Sequence, residues 1–275
     1  MFRNDFGGRS STHPSPLSPR WPASMTGMTC AVPGAAAPPG LSVVVPVFNE
    51  RDNVAALVHE IVAVLRPLQS FEIVYVDDGS TDDTVVQLRL LKQQVPELRV
   101  LRHAVQSGQS TAIRTGVKAA RATWVATLDG DGQNDPADIP KLLRARAAAD
   151  AQVKLFAGWR IERRDTASKR WASRWANAIR ARLLHDDTPD TGCGIKLFER
   201  AAFLELPGFD HMHRYLPALM QRAGWQTLSI PVNHRSRCAG VSKYNNLHRA
   251  WVGISDLRGV AWLIRRGTIP RAEEL

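Results

Sequence analysis

Three times in its first half the chain repeats one device: an apolar, β-branched run, a polar turn, and then a helical pattern. Leu41–Val47 (LSVVVPV) is followed by Phe48-Asn49-Glu50 and by Val54, Leu57, Val58, Ile61, Val64 and Leu65 at helical spacing. Phe71–Val76 (FEIVYV) ends in Asp77-Asp78-Gly79-Ser80-Thr81-Asp82, after which Val85, Leu88 and Leu91 begin a second helix. Leu98–Leu101 is a third short strand, and residues 108–122 read as a helix entered through small residues that leads into a fourth strand at 125–128. Runs apolar on both faces need cover on both faces, so the expected class is α/β, a mainly parallel sheet between helices. In such sheets ligands bind beyond the carboxyl ends of the strands, where Phe48, Asp77, Asp78, Asp129 and Asp131 all fall.

The fourth strand opens the stretch WVATLDGDGQNDP, residues 124–136. Asp129 and Asp131 are two residues apart, so on extended backbone their carboxylates point the same way, and glycines at 130 and 132 allow a tight turn. Mg²⁺ and Mn²⁺ take a few such hard oxygens together with those of a substrate diphosphate, and Gln133 adds an amide oxygen. Asp-Gly is also a common turn dipeptide, so a polar turn stays open as the plainer reading of this stretch alone.

Composition narrows the partners. Lys and Arg outnumber Asp and Glu by 36 to 26, a formal charge of +10, which suits phosphate, nucleic acid or an acidic membrane surface without choosing among them. The three cysteines, Cys30, Cys193 and Cys238, form no C-x-x-C pair, which argues against a disulfide framework or a zinc site and fits a reducing compartment. No run of about eighteen apolar residues suggests a membrane-spanning helix. Residues 1–39, rich in Pro, Ser, Ala and Gly with Asp5 and Arg9 where a signal peptide would be apolar, are expected to be disordered, and Met25 and Met28 leave a later start open.

The set PVFNE, VDDGSTDDT, SGQSTAIRTG and LDGDGQNDP, in this order, resembles the GT-A fold glycosyltransferases of family 2, most closely the dolichyl- and undecaprenyl-phosphate sugar synthases. The resemblance runs from about Leu41 to about Arg266. It implies nucleotide-sugar contacts at Pro46, Phe48, Glu50, Asp77, Asp78, Gly108, Asp129 and Gly130. Phe48 and Asp78 would meet the base and Asp77 would support that pocket. It further implies a metal-diphosphate, with Mg²⁺ or Mn²⁺ held by Asp129, Asp131 and Gln133. An aromatic ring offers a base a stacking face, and a carboxylate accepts from a base N–H.

Ala157-Gly158-Trp159-Arg160 resembles the family's G-x-R segment, and a strongly basic stretch follows. There Arg170 and Arg174, and likewise Trp171 and Trp175, are four apart, which puts cations and indoles on adjacent faces of a helix. The resemblance places the grip on a lipid phosphate here, with Arg160, Ser173 and Arg174 as the matching positions; a solvated helix with its tryptophans in the core is the alternative. Asp190, in DTGCG, would line the donor sugar. No Glu-Asp pair of the kind that deprotonates a sugar hydroxyl is visible, and a phosphate acceptor, already anionic, needs no strong base. His185, Asp186 and Asp187 read better as a polar loop than as acid and base. His211-Met212-His213 lacks a third ligand at convincing spacing, so packing is preferred to a metal site. Arg235, Arg237, Gly240, Ser242, Lys243 and Tyr244 resemble the R-x-x-G-x-S-K loop that closes over the diphosphate, where Arg237 and Lys243 would balance the leaving group. From Asn246 to Arg266 a basic amphipathic helix is expected to lie on the protein or in a membrane interface.

The expected organisation is a disordered segment at 1–39, a GT-A domain at 40–232, and a basic lid with an amphipathic helix at 233–275. The expected enzyme transfers a sugar, with inversion, from a nucleotide diphosphate sugar to a polyprenyl phosphate while peripheral to the cytoplasmic membrane face; it does not bind nucleic acid, and there is room for a membrane-embedded partner protein. Three other readings stay open: a family 2 enzyme acting on a glycan hydroxyl, a nucleic-acid-binding protein suggested by charge alone, and a scaffold that binds nucleotide sugar without turnover.

Overall fold

The computed structural model describes residues 37–160, 180–184, 186, 188–233, 235 and 246–268, the last segment with side chains from 253 onward. Four parallel strands form the first half of the sheet: β1 (Leu41–Val47), β2 (Phe71–Asp77), β3 (Leu98–Arg102) and β4 (Trp124–Thr127). Helices α1 (Val54–Leu65), α2 (Thr84–Gln94) and α3 (Gln109–Ala119) connect them. After α4 (Ile139–Ala148) come β5 (Val153–Arg160), β6 (Lys196–Glu199), α5 (Arg200–Leu204), α6 (Leu216–Arg222), β7 (Gln226–Val232) and α7 (Asn246–Arg265). The seven strands lie in the order β3-β2-β1-β4-β6-β5-β7.

Strands β1 and β2 are buried along their whole length because both faces of the sheet are covered. On one face Val43, Val45, Ile73 and Tyr75 pack with Leu57 and Ile61 of α1, Leu88 of α2 and Leu142 of α4. On the other, Val44, Val74 and Val76 pack with Ile113 and Val117 of α3, Phe203 of α5, Leu219 of α6 and Val260 of α7. Each fully buried aliphatic side chain contributes about 1.5–3 kcal/mol, so these two layers supply most of the driving force. Gly116 lets α3 lie directly on β1, since a Cβ there would overlap Val44 Cγ1.

One strand direction matters for the site. β6 runs antiparallel to both β4 and β5, with Thr127 opposite Lys196 and Ala157 opposite Lys196 on its other side. A strand of reversed direction begins where its neighbours end. The turn leading into β6 therefore meets the carboxyl ends of β4 and β5, and residues 190–196 join Asp129 and Arg160 at one edge.

The sequence-expected C-terminal helix is present. Val260 and Ala261 are buried, Ile254 and Trp262 are 47% and 56% exposed, and Arg222 Nε donates to Leu263 O at 2.8 Å, so the helix docks one face and exposes apolar residues on the other. Among the described residues no helix is long and apolar enough to cross a membrane.

Candidate active site

The turn after β4 is built by its own side chains. The Asp129 N–H donates to Asn134 Oδ1 at 2.8 Å, the Gln133 N–H donates to Asp131 Oδ1 at 3.1 Å, and Gly132 takes a left-handed φ of 74°. Gln109, in the first turn of α3, donates from Nε2 to Asp129 Oδ1 at 2.8 Å. Gly130 lies so close to the end of β1 that a Cβ would reach Pro46 O at 2.9 Å, which joins two sequence-expected nucleotide-sugar residues in one wall. Burial first, and then the Asp131 charge, push the Asp129 carboxyl above the usual carboxylate range. Two carboxylates held together without enough solvent favour a cation between them. Among the described residues no group of three or more His, Cys, Asp or Glu gathers, but Mg²⁺ binds through one or two carboxylates plus substrate phosphates, so this pair fits such an ion.

Facing the carboxylates from β5 and the turn before β6 is a part-buried ion pair. Arg160 donates from Nε to Asp190 Oδ2 at 2.6 Å and from Nη2 to Asp190 Oδ1 at 2.8 Å. This fork fixes both groups, with the guanidinium raised above its ordinary range chiefly by the Asp190 hydrogen bonds. The Gly192 N–H also donates to Asp190 Oδ1, at 3.2 Å. Arg160 was expected to grip an acceptor phosphate and Asp190 to line the donor sugar; the structure brings them together as partners. Lys196, 3% exposed, donates from Nζ to Cys193 O, and Thr127 Oγ1 donates to Gly194 O at 2.8 Å. Burial lowers the Lys196 ammonium, while Asp129 and Asp190 act in the opposite direction.

On the other side of Asp129 are the ends of β1, β2 and β3. Asp77 is fully buried, accepts from the Ser80 N–H at 3.3 Å and pairs with Arg102 Nε at 3.3 Å. Asp78 Oδ1 accepts from the Ser107 N–H at 2.9 Å and Oδ2 from the Gly108 N–H at 2.8 Å. His103 Nδ1 lies 2.7 Å from Asp78 Oδ1 and its Nε2 lies 3.0 Å from Thr115 Oγ1, so a proton assigned to Nδ1 satisfies the whole chain. Asp78, expected to face the base, thus also holds the 103–108 segment that leads into α3. Phe48 is half-buried beyond β1, and the Glu50 N–H donates to Thr84 Oγ1 at 2.9 Å while Glu50 Oε2 accepts from Asn53 Nδ2 at 2.7 Å. Losing a buried acceptor costs about 1–3 kcal/mol, so Asp78→Ala is expected to speed amide exchange at Ser107 and Gly108 about tenfold or more. Unchanged exchange at both amides would show that the carboxylate does not hold this segment.

Ser173, Arg174, Arg237 and Lys243 lie outside the described residues, as do Arg170, Trp171, Trp175, His185 and Asp187. The root of the expected lid is described: Arg235 donates its N–H to Gln133 O at 3.1 Å and pairs with Asp135 and Glu60 at 2.7 and 2.6 Å, tying it to the carboxylate turn. His211 pairs with Asp256 of α7 at 3.0 Å, and His213 Nδ1 lies 2.7 Å from Ser110 Oγ, with burial holding its imidazole well below the ordinary range. Sequence reasoning missed Gln109, Gly194 and Lys196; spacing to a distant Asp gives no signal for them.

Residues 42–206 match the Glycosyl transferase family 2 model, and the chain belongs to that family. Its sheet and helices form the GT-A fold. Dodecaprenyl-phosphate galacturonate synthase of Rhizobium johnstonii is 34% identical over 236 residues, covering 82% of this chain and 67% of that protein. Undecaprenyl-phosphate 4-deoxy-4-formamido-L-arabinose transferase of Edwardsiella ictaluri is 33% identical over 207 residues, covering 74% and 62%. The chain thus spans about two thirds or less of these relatives' own lengths. In fold it is similar to glucosyl-3-phosphoglycerate synthase of Mycobacterium tuberculosis, whose crystal structure holds Mn²⁺, uridine diphosphate and glucosyl-3-phosphoglycerate; the TM-score is 0.61 at 19% identity, covering 85% of this chain and 82% of that one. A mannosyltransferase of Pyrobaculum calidifontis with GDP-Man and Mn²⁺ gives a TM-score of 0.58 at 21% identity, covering 85% and 66%.

Proposed function

We propose that the chain is a metal-dependent, inverting glycosyltransferase that moves a sugar from a nucleotide diphosphate sugar to a polyprenyl phosphate. The observation that carries this reading is the Asp129–Asp131 carboxylate pair, half-buried and buried respectively, at the carboxyl edge of the parallel strands, in a chain whose relatives are named as polyprenyl-phosphate sugar transferases. Within this reading residues 40–232 are the catalytic domain and 233–275 the lid and interfacial helix.

Asp129 and Asp131, with Gln133 beside them, would hold Mg²⁺ or Mn²⁺, which when bound supplies neutralisation of the departing diphosphate. Phe48 and the 77–80 turn form the nucleotide side of the crevice, and the Asp78-held segment keeps it in shape. The acceptor phosphate oxygen attacks the anomeric carbon from the face opposite the diphosphate, forming the new C–O bond as the old one breaks. No proton has to leave the acceptor, which agrees with Asp190 being committed to Arg160 instead of standing as a base. Arg160, Ser173 and Arg174 are assigned to the acceptor phosphate, and of these Arg160 is oriented by Asp190. Exposed Ile254 and Trp262, with Arg258 and Arg265 exposed on the same helix and Arg266 just past its end, support a site at the cytoplasmic membrane face.

The test is a screen of nucleotide sugars for metal-dependent thermal stabilisation, followed by transfer to a short polyprenyl phosphate. Lysine cannot reproduce the paired hydrogen bonds of arginine to a phosphate, so Arg174→Lys is expected to raise KM for polyprenyl phosphate about tenfold and leave donor binding intact. Transfer to a glycan hydroxyl, with none to the lipid phosphate, overturns the acceptor assignment.

A further inference from the structure

We propose that Lys196 is a positioning residue that acts through its charge: a buried ammonium near Asp129 and Asp190 that makes the site favour a diphosphate and disfavour a bare divalent cation. This rests on the functional reading above. The side chain starts on β6 opposite Thr127, two residues before Asp129, and on its other side opposite Ala157 of the strand that carries Arg160. It is buried and donates to a neutral carbonyl, that of Cys193, instead of forming a contact pair with a carboxylate. Taking an ammonium out of water is costly, and one hydrogen bond to a carbonyl does not offset that cost. The field of Asp129 and Asp190 offsets part of that cost, and burial still leaves the ammonium below its ordinary range.

The charges around this point set its consequence. Asp129, Asp131 and Asp190 face Arg160 and Lys196, which leaves one negative charge uncompensated in the empty site. A divalent cation reverses that to one positive charge, which then draws in a diphosphate. Without Lys196 the empty site would carry two uncompensated negative charges, attract Mn²⁺ more strongly and repel a diphosphate. Arg160 cannot stand in, because its guanidinium is engaged by Asp190 in a two-point fork. Lys196 thus orders binding without touching the reacting atoms, since a cation that binds too well alone leaves less positive charge for the donor.

The experiment measures binding to the full chain of two probes that carry no base, Mn²⁺ alone and inorganic pyrophosphate alone, by calorimetry. Lys196→Gln keeps a donor for the Cys193 carbonyl and removes the charge; Lys196→Met keeps the apolar stem; Lys196→Arg keeps the charge. Through-space coupling of this kind predicts that both uncharged variants bind pyrophosphate roughly tenfold more weakly and Mn²⁺ severalfold more tightly, with the arginine variant returning both toward wild type. A purely structural lysine would move both affinities in the same direction or neither. Unchanged affinities in a folded Lys196→Gln or Lys196→Met chain overturn the proposal, and so does failure of both uncharged variants to fold, because the role is then one of packing. If the wild-type chain binds neither probe, even together, the functional reading itself fails, an outcome distinct from a wild type that binds both and variants that match it.

Discussion

Asp129→Ala and Asp131→Ala are each expected to lower kcat at least about a hundredfold in saturating Mn²⁺, a loss of about 2.7 kcal/mol of transition-state stabilisation. Asp131→Ala should leave the melting temperature unchanged or raise it, whereas Asp129→Ala also removes a charge that partly offsets the buried Lys196 ammonium and should gain less or nothing. Asp129 is held by burial and by the Asp131 charge in a state that disfavours its ionised form, so removing either carboxylate relieves repulsion within the fold. The groups left behind include the Gln109 amide, exposed enough to find water, the Gln133 N–H at the turn, and the Lys196 ammonium near Asp129. A stabilised or unaffected protein that has lost turnover is the signature of a site that stores repulsion for a ligand. Paired measurements of kcat and of thermal unfolding separate this from a structural turn: destabilisation with near-normal residual activity would return Asp129 and Asp131 to the plainer reading.

The part of this architecture legible in the sequence is the part whose signal is local. β1 and β2 are buried on both faces, so they appear as apolar runs interrupted only by Ser42 and Glu72, which bond each other, and the polar turns that follow them mark the ligand edge. Helix α4 and strand β5 were not read as elements, because α4 buries only Ile139 and Leu142 among arginines and alanines, and β5 was seen only through its last residues. The direction of β6 was invisible as well. Four residues, KLFE, carry no information about which neighbours they pair with, yet their antiparallel run delivers Gly194 and Lys196 to the site. The partners of buried charges were equally hidden: Arg160 and Asp190 are 30 residues apart, and Asp78 is met by amides 29 and 30 residues later. Residue types at strand ends identify a family; who neutralises whom depends on tertiary closure.

Gly194→Ala tests that closure at its tightest point and is expected to be nearly as damaging as loss of a carboxylate. A Cβ at 194 would overlap the Asp129 carboxylate and come within 2.5 Å of Asn134 Oδ1. The obstacle is space, since Gly194 is absent from the glycines of positive φ. Backbone movement is resisted from both sides: Thr127 Oγ1 holds the Gly194 carbonyl, and Lys196 holds that of Cys193. Asp129 therefore has to swing away from Gln109 and from the place where it meets Asp131. Overpacking of this kind typically costs about 1–3 kcal/mol of stability, which a chain of this size survives. Turnover should fall about a hundredfold, because small displacements of a charge-bearing group are strongly felt in a preorganised site. Gly192→Ala is the internal comparison: its Cβ would meet Arg160 Nη2 at 3.3 Å and Asp190 Oδ1 at 3.7 Å, close but tolerable contacts. The expected pattern is a Gly194→Ala chain with Mn²⁺ affinity and kcat both depressed, beside a Gly192→Ala chain within a few-fold of wild type. Equal activities in the two variants would mean that Asp129 is free to move, and that the carboxylate pair owes its function to its charge alone and not to the geometry imposed by the turn before β6.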